Sequence, residues 1–471
     1  MTNRELTIGL ISPHWLPYHG GAEQYLHRMA VALDRKGVDM HVFCGTAAES
    51  TRYNGTFPVT RWTPFGNVGK CNWNSTIPRP IGLSIRESMR KRIRRKRGNR
   101  YQRICSLSKL RNVGQSPDDS VFRHHDFMDA AVQWACDLDL DIALIGSPLA
   151  ETRQLQAREL YLRLKAHGVK VGAIYHDLGK HVQHDLVRQY LHNGHNWQDA
   201  ADTVSQAIDE LSRKHNLYQV YSHINSPLLF DPDFVVSCSE WSGRFIDPAN
   251  QIPKYVLHPL MDADYWHADI SSTEALNVCD ILMVNPQSRK NPALLAYLIH
   301  SSQPGMSFRV IAGGWGDALG KFTPTVKSSR AYREQRIHFC DYLYDMRTAY
   351  RNSRILLFPS YAEGYGMTPV EALLSGTAVV SSNYPAVLEA VGDGAYTLCP
   401  YTDNHQTWRR AVNDVLNNLE YWREQGSKQA ARVAQQEKDE LDRLITFFGS
   451  VVGLPLTDSP SEARYASLAK A

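Results

Sequence analysis

Cysteine is scarce and scattered. The eight cysteines stand at positions 44, 71, 105, 136, 238, 279, 340 and 399, with no Cys-x-x-Cys pair among them. That scatter argues against a disulfide framework and a zinc knuckle, and suits reduced thiols in a cytosolic protein. Long apolar runs are also lacking. None approaches the roughly 20 residues that a membrane-spanning helix needs. Strong net charge is absent too: the balance is +4, so the molecule as a whole is not a nucleic-acid binder. No His/Asp cluster has metal-ligand spacing, and no internal repeat is evident. The first residues, MTNRELTIGLIS, read as an opening strand and not as a signal peptide.

What is present is an ordinary globular composition, 43% hydrophobic and 21% charged, over 471 residues. That length favours two or three domains over one core. Leu6 to Ser12 reads as a strand and is followed by the loop PHWLPYHGG, Pro13 to Gly21. Leu26, Met29, Ala30 and Leu33 then fall at helical spacing, Gly37 stops the helix, and Val38 to Cys44 is a second strand. This is the seed of a parallel sheet. Ile142–Ile145, Val169–His176 and Phe234–Cys238 extend it. The chain restarts after His258-Pro259, with strands at Asp280–Asn285, Phe308–Ala312, Ile337–Phe339, Ile355–Phe358 and Ala378–Ser381. The pattern predicts an α/β protein of two doubly wound domains, residues 1–257 and 258–430, with a ligand in the cleft between them. A charged helical tail follows from Trp408 to Phe448, and residues 431–471 are expected to pack back on the first domain.

The stretch PSYAEGYGMTPVEALLSGTAVV, Pro359 to Val380, carries the chemistry. It reads as the end of a strand, a glycine-bearing turn and a helix. Thr368 is placed to cap that helix, Pro369 suits its first position, and Glu371 falls where a capping box wants an acid. Free N–H groups at Tyr365, Gly366 and Met367, aided by the helix dipole, would form an anion site. Gly364 and Gly366 would let a ligand approach the backbone. An anion site beside carboxylates that accept from hydroxyls suits a phosphorylated sugar, and the combination describes a nucleotide sugar. The spacing alone also allows Glu371 to be a capping acid and Glu363 a loop acid.

This stretch resembles the E-x7-E signature of retaining GT-B glycosyltransferases, notably glycosyltransferase family 4. The flanking segments IHFCDYLYDMRTAYRNS (Ile337–Ser353) and SSNYPAVLEAVGDGAYTLCP are similar to that family as well, as is the N-terminal glycine loop with its helix and strand. The resemblance covers residues 6–45 and most of 230–430. It implies two Rossmann-like domains facing a cleft, an acceptor domain followed by a donor domain. It also implies that Glu371 binds the ribose and that Glu363 contacts the transferred sugar. The backbone of Gly364, Tyr365, Gly366 and Met367 would hold sugar and diphosphate. Gly20 and Gly21 would close over the diphosphate, His176 would line the site near the donor sugar, and Tyr342 would lie beside the base. Lys290 would clamp the departing diphosphate. The family's second clamp cation, an arginine about five residues earlier, is missing: Asn285 or Pro286 occupies its place in ILMVNPQSRKNPALL. Asn285 would donate a neutral hydrogen bond there, or Arg289 would supply the charge.

The expected activity is metal-independent transfer of a sugar, with retention, from a UDP- or GDP-linked donor, with no cofactor beyond that co-substrate. A nucleotide-sugar epimerase of the same fold and a non-catalytic nucleotide-sugar-binding subunit are the alternatives. A phosphorylase would need a pyridoxal lysine that cannot be identified. The acceptor is open among a lipid-linked carrier, a polysaccharide and a small metabolite. RESMRKRIRRKRGNRYQR, Arg86 to Arg103, has ten basic residues in eighteen. It is either a solvated insertion or a contact for an anionic acceptor or for the inner face of a membrane. Trp62, Trp73 and the helical HDLVRQYLHNGHNW, ending at Trp197, add aromatics suited to stacking or to packing.

Overall fold

The computed structural model describes residues 6–12, 15, 20–45, 57–61, 69–71, 125–146, 155–176, 197–200, 202–203, 206, 231–246, 252–267, 278–313, 317–343 and 345–454. Strands are numbered in chain order. The first sheet holds β1 (Thr7–Ser12), β2 (Asp39–Cys44), β3 (Val59–Arg61), β4 (Gly69–Cys71), β5 (Ile142–Ile145), β6 (Lys170–Tyr175), β7 (Phe234–Ser237) and β8 (Lys254–Val256). The second holds β9 (Cys279–Val284), β10 (Phe308–Ile311), β11 (Ile337–Cys340), β12 (Ser353–Phe358), β13 (Ala378–Ser382) and β14 (Tyr396–Leu398). The spatial orders are β4-β3-β2-β1-β5-β6-β7-β8 and β11-β10-β9-β12-β13-β14. Every described pairing is parallel except that of β3 with β4.

Parallel sheets are covered on both faces, so their strands are apolar almost throughout. β5, β7 and β10 are buried at every residue, including the polar Ser237 of β7 and Arg309 of β10. The Gly21–Arg35 helix buries Leu26, Met29, Ala30 and Leu33 against the first sheet. Each of the leucine and methionine side chains contributes about 1.5–3 kcal/mol. Gly37, at φ +83°, turns the chain into β2. The Pro292–His300 helix starts on a local signal of its own: Asn291 accepts from the Leu294 N–H at 3.3 Å, and Pro292 takes the first turn.

The strand order reverses at β1/β5 in the first sheet and at β9/β12 in the second. Carboxyl ends of strands at such reversals are where open α/β sheets hold ligands. Residues Gly20, His176, Asn285, Lys290, Tyr342 and Glu363 all follow the carboxyl ends of β1, β6, β9, β11 or β12. Sequence patterning missed β3, β4, β8 and β14. Each is three residues long and lies towards an edge of its sheet, too short to show a period.

The helical tail is two helices, His405–Asn417 and a 34-residue rod from Leu419 to Val452. The rod begins against the second sheet, where Gln429 donates to the Ala390 carbonyl. It ends on the first, with Phe447 and Phe448 beside Phe234 and an ion pair from Asp442 to Lys36. The Arg86–Arg103 run, Trp62, Trp73, most of the 184–197 segment and residues beyond 454 lie outside the described residues. Among the described residues no helix is long and apolar enough to cross a membrane. Cys44, Cys136, Cys238, Cys279, Cys340 and Cys399 are free thiols.

Candidate functional site

The turn after β12 is built around Gly366. Its φ of +116° is left-handed backbone that only glycine adopts cheaply. Gly366 is itself the N-cap of the Met367–Leu374 helix, and no side chain caps that helix. The expected capping box is therefore absent. The left-handed turn starts the helix before Thr368, so Pro369 falls third and Glu371 fifth, two residues past the position of a capping-box acid. Glu371 looks elsewhere. One carboxylate oxygen accepts from Arg28 Nη2 at 3.0 Å and the other from the Tyr350 hydroxyl at 3.0 Å.

Glu363 forms an ion pair with Lys290, the two side chains being 10% and 12% exposed. Lys290 Nζ also lies 4.4 Å from the centroid of the Phe358 ring. Arg289 is exposed, and its carbonyl accepts from the Tyr361 N–H at 2.8 Å, tying the loops after β9 and β12 together. Asn285 is left-handed at φ +55°. Its side-chain Oδ1 is buried with no hydrogen-bond partner in the protein. The amide lies flat on Gly313, where a Cβ would stand 2.4 Å from that oxygen. Tyr342 is half-buried just past β11 and is electrostatically coupled to Tyr350.

From the first domain, Gly20 is the extended N-cap of the Gly21–Arg35 helix. Gly21 opens that helix with free space where a Cβ would go. Behind them Glu23 is buried. Burial raises its carboxyl from 4.5 to about 7, against the pull of its own N–H and that of Gly20. His176, at the end of β6, reaches across to the second domain. A Cβ on Gly364 would stand 2.0 Å from the His176 carbonyl oxygen. The Gly364 carbonyl meanwhile accepts from Ser239 Oγ at 2.6 Å, Ser242 Oγ at 3.1 Å and Cys238 Sγ at 3.3 Å. This corrects the expectation for Gly364: its missing side chain admits the other domain's backbone, and no room is left there for a ligand. Tyr365 is buried. Its ring packs 5.1 Å from the His258 ring, and burial pushes its phenol well above the usual range.

Sequence reasoning missed the groups that join the domains. His258 Nδ1 lies 2.6 Å from Glu440 and Nε2 lies 3.2 Å from Glu389. The same Glu389 carboxylate accepts the N–H groups of Glu240 and Trp241, both at 2.8 Å, at the start of the Glu240–Ile246 helix. Burial disfavours the imidazolium, but hydrogen bonds to Glu389 and Glu440 and the two negative charges outweigh it. They raise His258 from 6.5 to about 9. Only His258 carried a signal, its place beside Pro259 at the restart of the chain.

Among the described residues no group of three or more His, Cys, Asp or Glu could hold a metal ion. Four Asp-x-Asp triplets occur: Asp137-Leu138-Asp139, Asp139-Leu140-Asp141, Asp231-Pro232-Asp233 and Asp262-Ala263-Asp264. The first three precede β5 and β7, at the opposite ends of the strands from the turn, and Asp233 accepts from the Val171 N–H. The fourth follows β8 at the start of the Ala263–His267 helix, where Asp262 pairs with Arg35 at 3.5 Å.

Comparison with known proteins agrees with this architecture. Sucrose-phosphate synthase from Thermosynechococcus elongatus superposes with a TM-score of 0.59 at 13% identity, covering 95% of this chain and 100% of that one. The Anabaena protein HepE, in complex with UDP and glucose, gives 0.58 at 13% identity, with the same coverage. An O-antigen chain mannosyltransferase of Salmonella typhimurium, RfbU, is 31% identical over 71 residues, 15% of this chain and 20% of that protein. The matching stretches span only 19–31% of the lengths of the curated relatives. Residues 290–432 match the family Glycosyl transferases group 1. That match begins at Lys290 and takes in Tyr342, Glu363 and Glu371. The chain thus carries a Glycosyl transferases group 1 domain set within the two-domain, Rossmann-like GT-B fold.

Proposed function

We propose that the protein is a retaining glycosyltransferase of the family 4 type. It moves a sugar from a nucleoside diphosphate sugar to an acceptor without a metal or other cofactor. The observation that carries this reading is the Lys290–Glu363 ion pair at the switch point of the second sheet, with Glu371 eight residues further on. A cation and an acid held together there supply one group for the diphosphate and one for the sugar.

As the donor enters, Lys290 exchanges Glu363 for the diphosphate. Glu363 is released to accept from the sugar hydroxyls. The pair is nearly buried, so neither charge can be left alone, and each must gain a ligand group as it loses the other. The N–H groups at Gly366 and Met367 and the dipole of the Met367–Leu374 helix add to the positive side. Glu371 accepts from the ribose, Gly20 and Gly21 border the diphosphate, and His176 faces the transferred sugar. Tyr342 borders the base. Asn285 and Arg289 stand on the loop beyond β9, and the unpartnered Asn285 oxygen suits a donor hydroxyl. The C1–O bond breaks through an oxocarbenium-like state as charge grows on the diphosphate. The leaving phosphate takes the acceptor proton on the same face, which retains configuration.

The test is acceptor-dependent release of nucleoside diphosphate from a panel of UDP- and GDP-linked sugars. The panel is chosen first by thermal shift, because a ligand at a hundred times its Kd adds about 2.7 kcal/mol. Release that needs acceptor, and that fails in Lys290→Ala and Glu363→Ala, is expected. Interconversion of donor sugars without release would point to an epimerase. Tight donor binding with no turnover on lipid-linked, polysaccharide or small-molecule acceptors would point to a binding subunit. The cytosolic thiols and the Arg86–Arg103 run fit work at the inner face of a membrane, which flotation with anionic vesicles checks.

A further inference from the structure

We propose that Arg28 is a positioning residue for Glu371, and that through it the first domain sets how tightly a donor's ribose is held. The proposal rests on the donor reading of Glu371 given above.

Arg28 lies two turns into the Gly21–Arg35 helix, beyond the glycine loop that resembles the family's. It crosses to the second domain and donates from Nη2 to Glu371 Oε1 at 3.0 Å. Its side chain is 18% exposed and that of Glu371 is 14%. The guanidinium is itself held from three sides. Nη1 lies 3.3 Å from Met261 Sδ, and the Trp266 ring centroid is 5.9 Å from its central carbon. Glu437, which accepts the Met261 N–H at 2.9 Å, adds a second negative charge nearby. The position of Arg28 is therefore fixed by the crossover segment between the sheets and by the C-terminal helix, and so is the plane of the carboxylate it grips.

Tyr350 grips the other oxygen from the second domain. Its phenol is fully buried, and burial together with the charge of Glu371 pushes it far up, so it stays a neutral donor. A carboxylate offers about four acceptor positions. Arg28 and Tyr350 occupy one on each oxygen. One on each remains, which matches the two neighbouring hydroxyls of a ribose. A carboxylate bracketed from both sides loses little rotamer freedom when the ligand arrives. A carboxylate gripped by Tyr350 alone can swing. A guanidinium partner also offsets the cost of burying the acid, which a lone tyrosine cannot do.

A merely structural ion pair would affect all nucleotides alike. A positioning role predicts an effect that depends on the ribose hydroxyls. The experiment is calorimetric titration of the full chain with UDP, GDP and their 2′-deoxy counterparts, for wild type, Arg28→Ala, Arg28→Lys and Glu371→Gln. Wild type is expected to bind the preferred ribonucleotide about tenfold more tightly than its deoxy form, the scale of one hydrogen bond to a charged group. Arg28→Ala brings that ratio towards one. Arg28→Lys, which keeps the charge but not the planar fork, falls between. If Arg28→Ala unfolds, the lysine variant and Arg28→Gln decide by the same ratio. An unchanged ratio in the Arg28 variants, with the ratio lost in Glu371→Gln, overturns the role of Arg28 and leaves the donor reading standing. An unchanged ratio in Glu371→Gln, or no nucleotide binding by wild type, overturns the donor reading itself.

Discussion

Two pairs of acids behave differently in this molecule. Glu363 and Glu371 belong to one turn and one helix, and each meets a cation brought from elsewhere, Lys290 and Arg28. Glu389 and Glu440 come from distant helices and share one cation, His258. The first pair lies at the carboxyl ends of the strands, where a ligand can replace a protein partner. The second carries further hydrogen bonds besides those to His258's ring: Glu389 accepts from the N–H groups of Glu240 and Trp241, Glu440 from Gln436 and the His258 N–H. An acid that backbone N–H groups hold in place is a joint. One held by side chains at a sheet's switch point is poised to exchange partners.

The largest effect should fall on the joint. Glu440→Ala leaves His258 a buried cation with half its partners, and the cost is about 3 kcal/mol of unfolding free energy. Denaturant unfolding measures it, and a value under about 1 kcal/mol would dissolve the distinction between the two pairs. The same joint has a pH signature. His258 binds its proton more tightly folded than unfolded, so its stabilisation is complete below pH 6.5 and is lost as pH rises through about 9. Glu440, whose carboxyl is lowered, works in the other direction, losing its contribution as pH falls through its folded value. The melting temperature of wild type should therefore decline between pH 6.5 and 9, and that of His258→Ala should not.

Next comes the exchangeable pair. Lys290→Ala should lower turnover about a hundredfold, the scale of one lost charge-assisted contact in a transition state. Melting temperature should change far less than in the Glu440 variant, because a ligand-facing loop carries little of the core. Wild-type turnover in Lys290→Ala would remove the pair from the chemistry. Gly364→Ala tests the boundary between the two regions. Its Cβ meets the His176 carbonyl, and the overpacking should cost about 2 kcal/mol and loosen the turn. The smallest effect on stability is expected for Gly21→Ala, at a helix start with open space, within about 0.5 kcal/mol of wild type. Its nucleotide affinity should still fall, since on the proposed reading the methyl group stands where the diphosphate passes. Unchanged affinity would take Gly21 out of the site.

Much of the second domain was legible. β10, β11, β12 and β13 lie within a residue or two of where their apolar runs place them, and the turn after β12 is where its glycines put it. Glu363 and Lys290 were each singled out, but nothing in the sequence said that they meet. The capping box misled because Thr368-Pro369 is a genuine helix-start signal. The left-handed Gly366 overrode it by starting the helix sooner. In the first domain the glycine loop, its helix and His176 were visible. Arg28 was not, because a lone arginine on an amphipathic helix has the same pattern as any solvated one. The Asn285–Gly313 contact was equally silent, since packing between two loops leaves no period in either.

The sequence by itself determined the local order of the chain: apolar runs of strand length, helices between them, and a glycine that must turn left-handed after β12. These follow from side-chain size, backbone sterics and short-range hydrogen bonding, which neighbours along the chain settle among themselves. Only the tertiary structure decided which cation each acid would meet. Arg28 reaches Glu371, and His258 joins Glu389 to Glu440, because two sheets and a long closing helix bring distant residues within hydrogen-bond range. Charges interact through space and not along the backbone, so those pairings exist only once the two halves are packed.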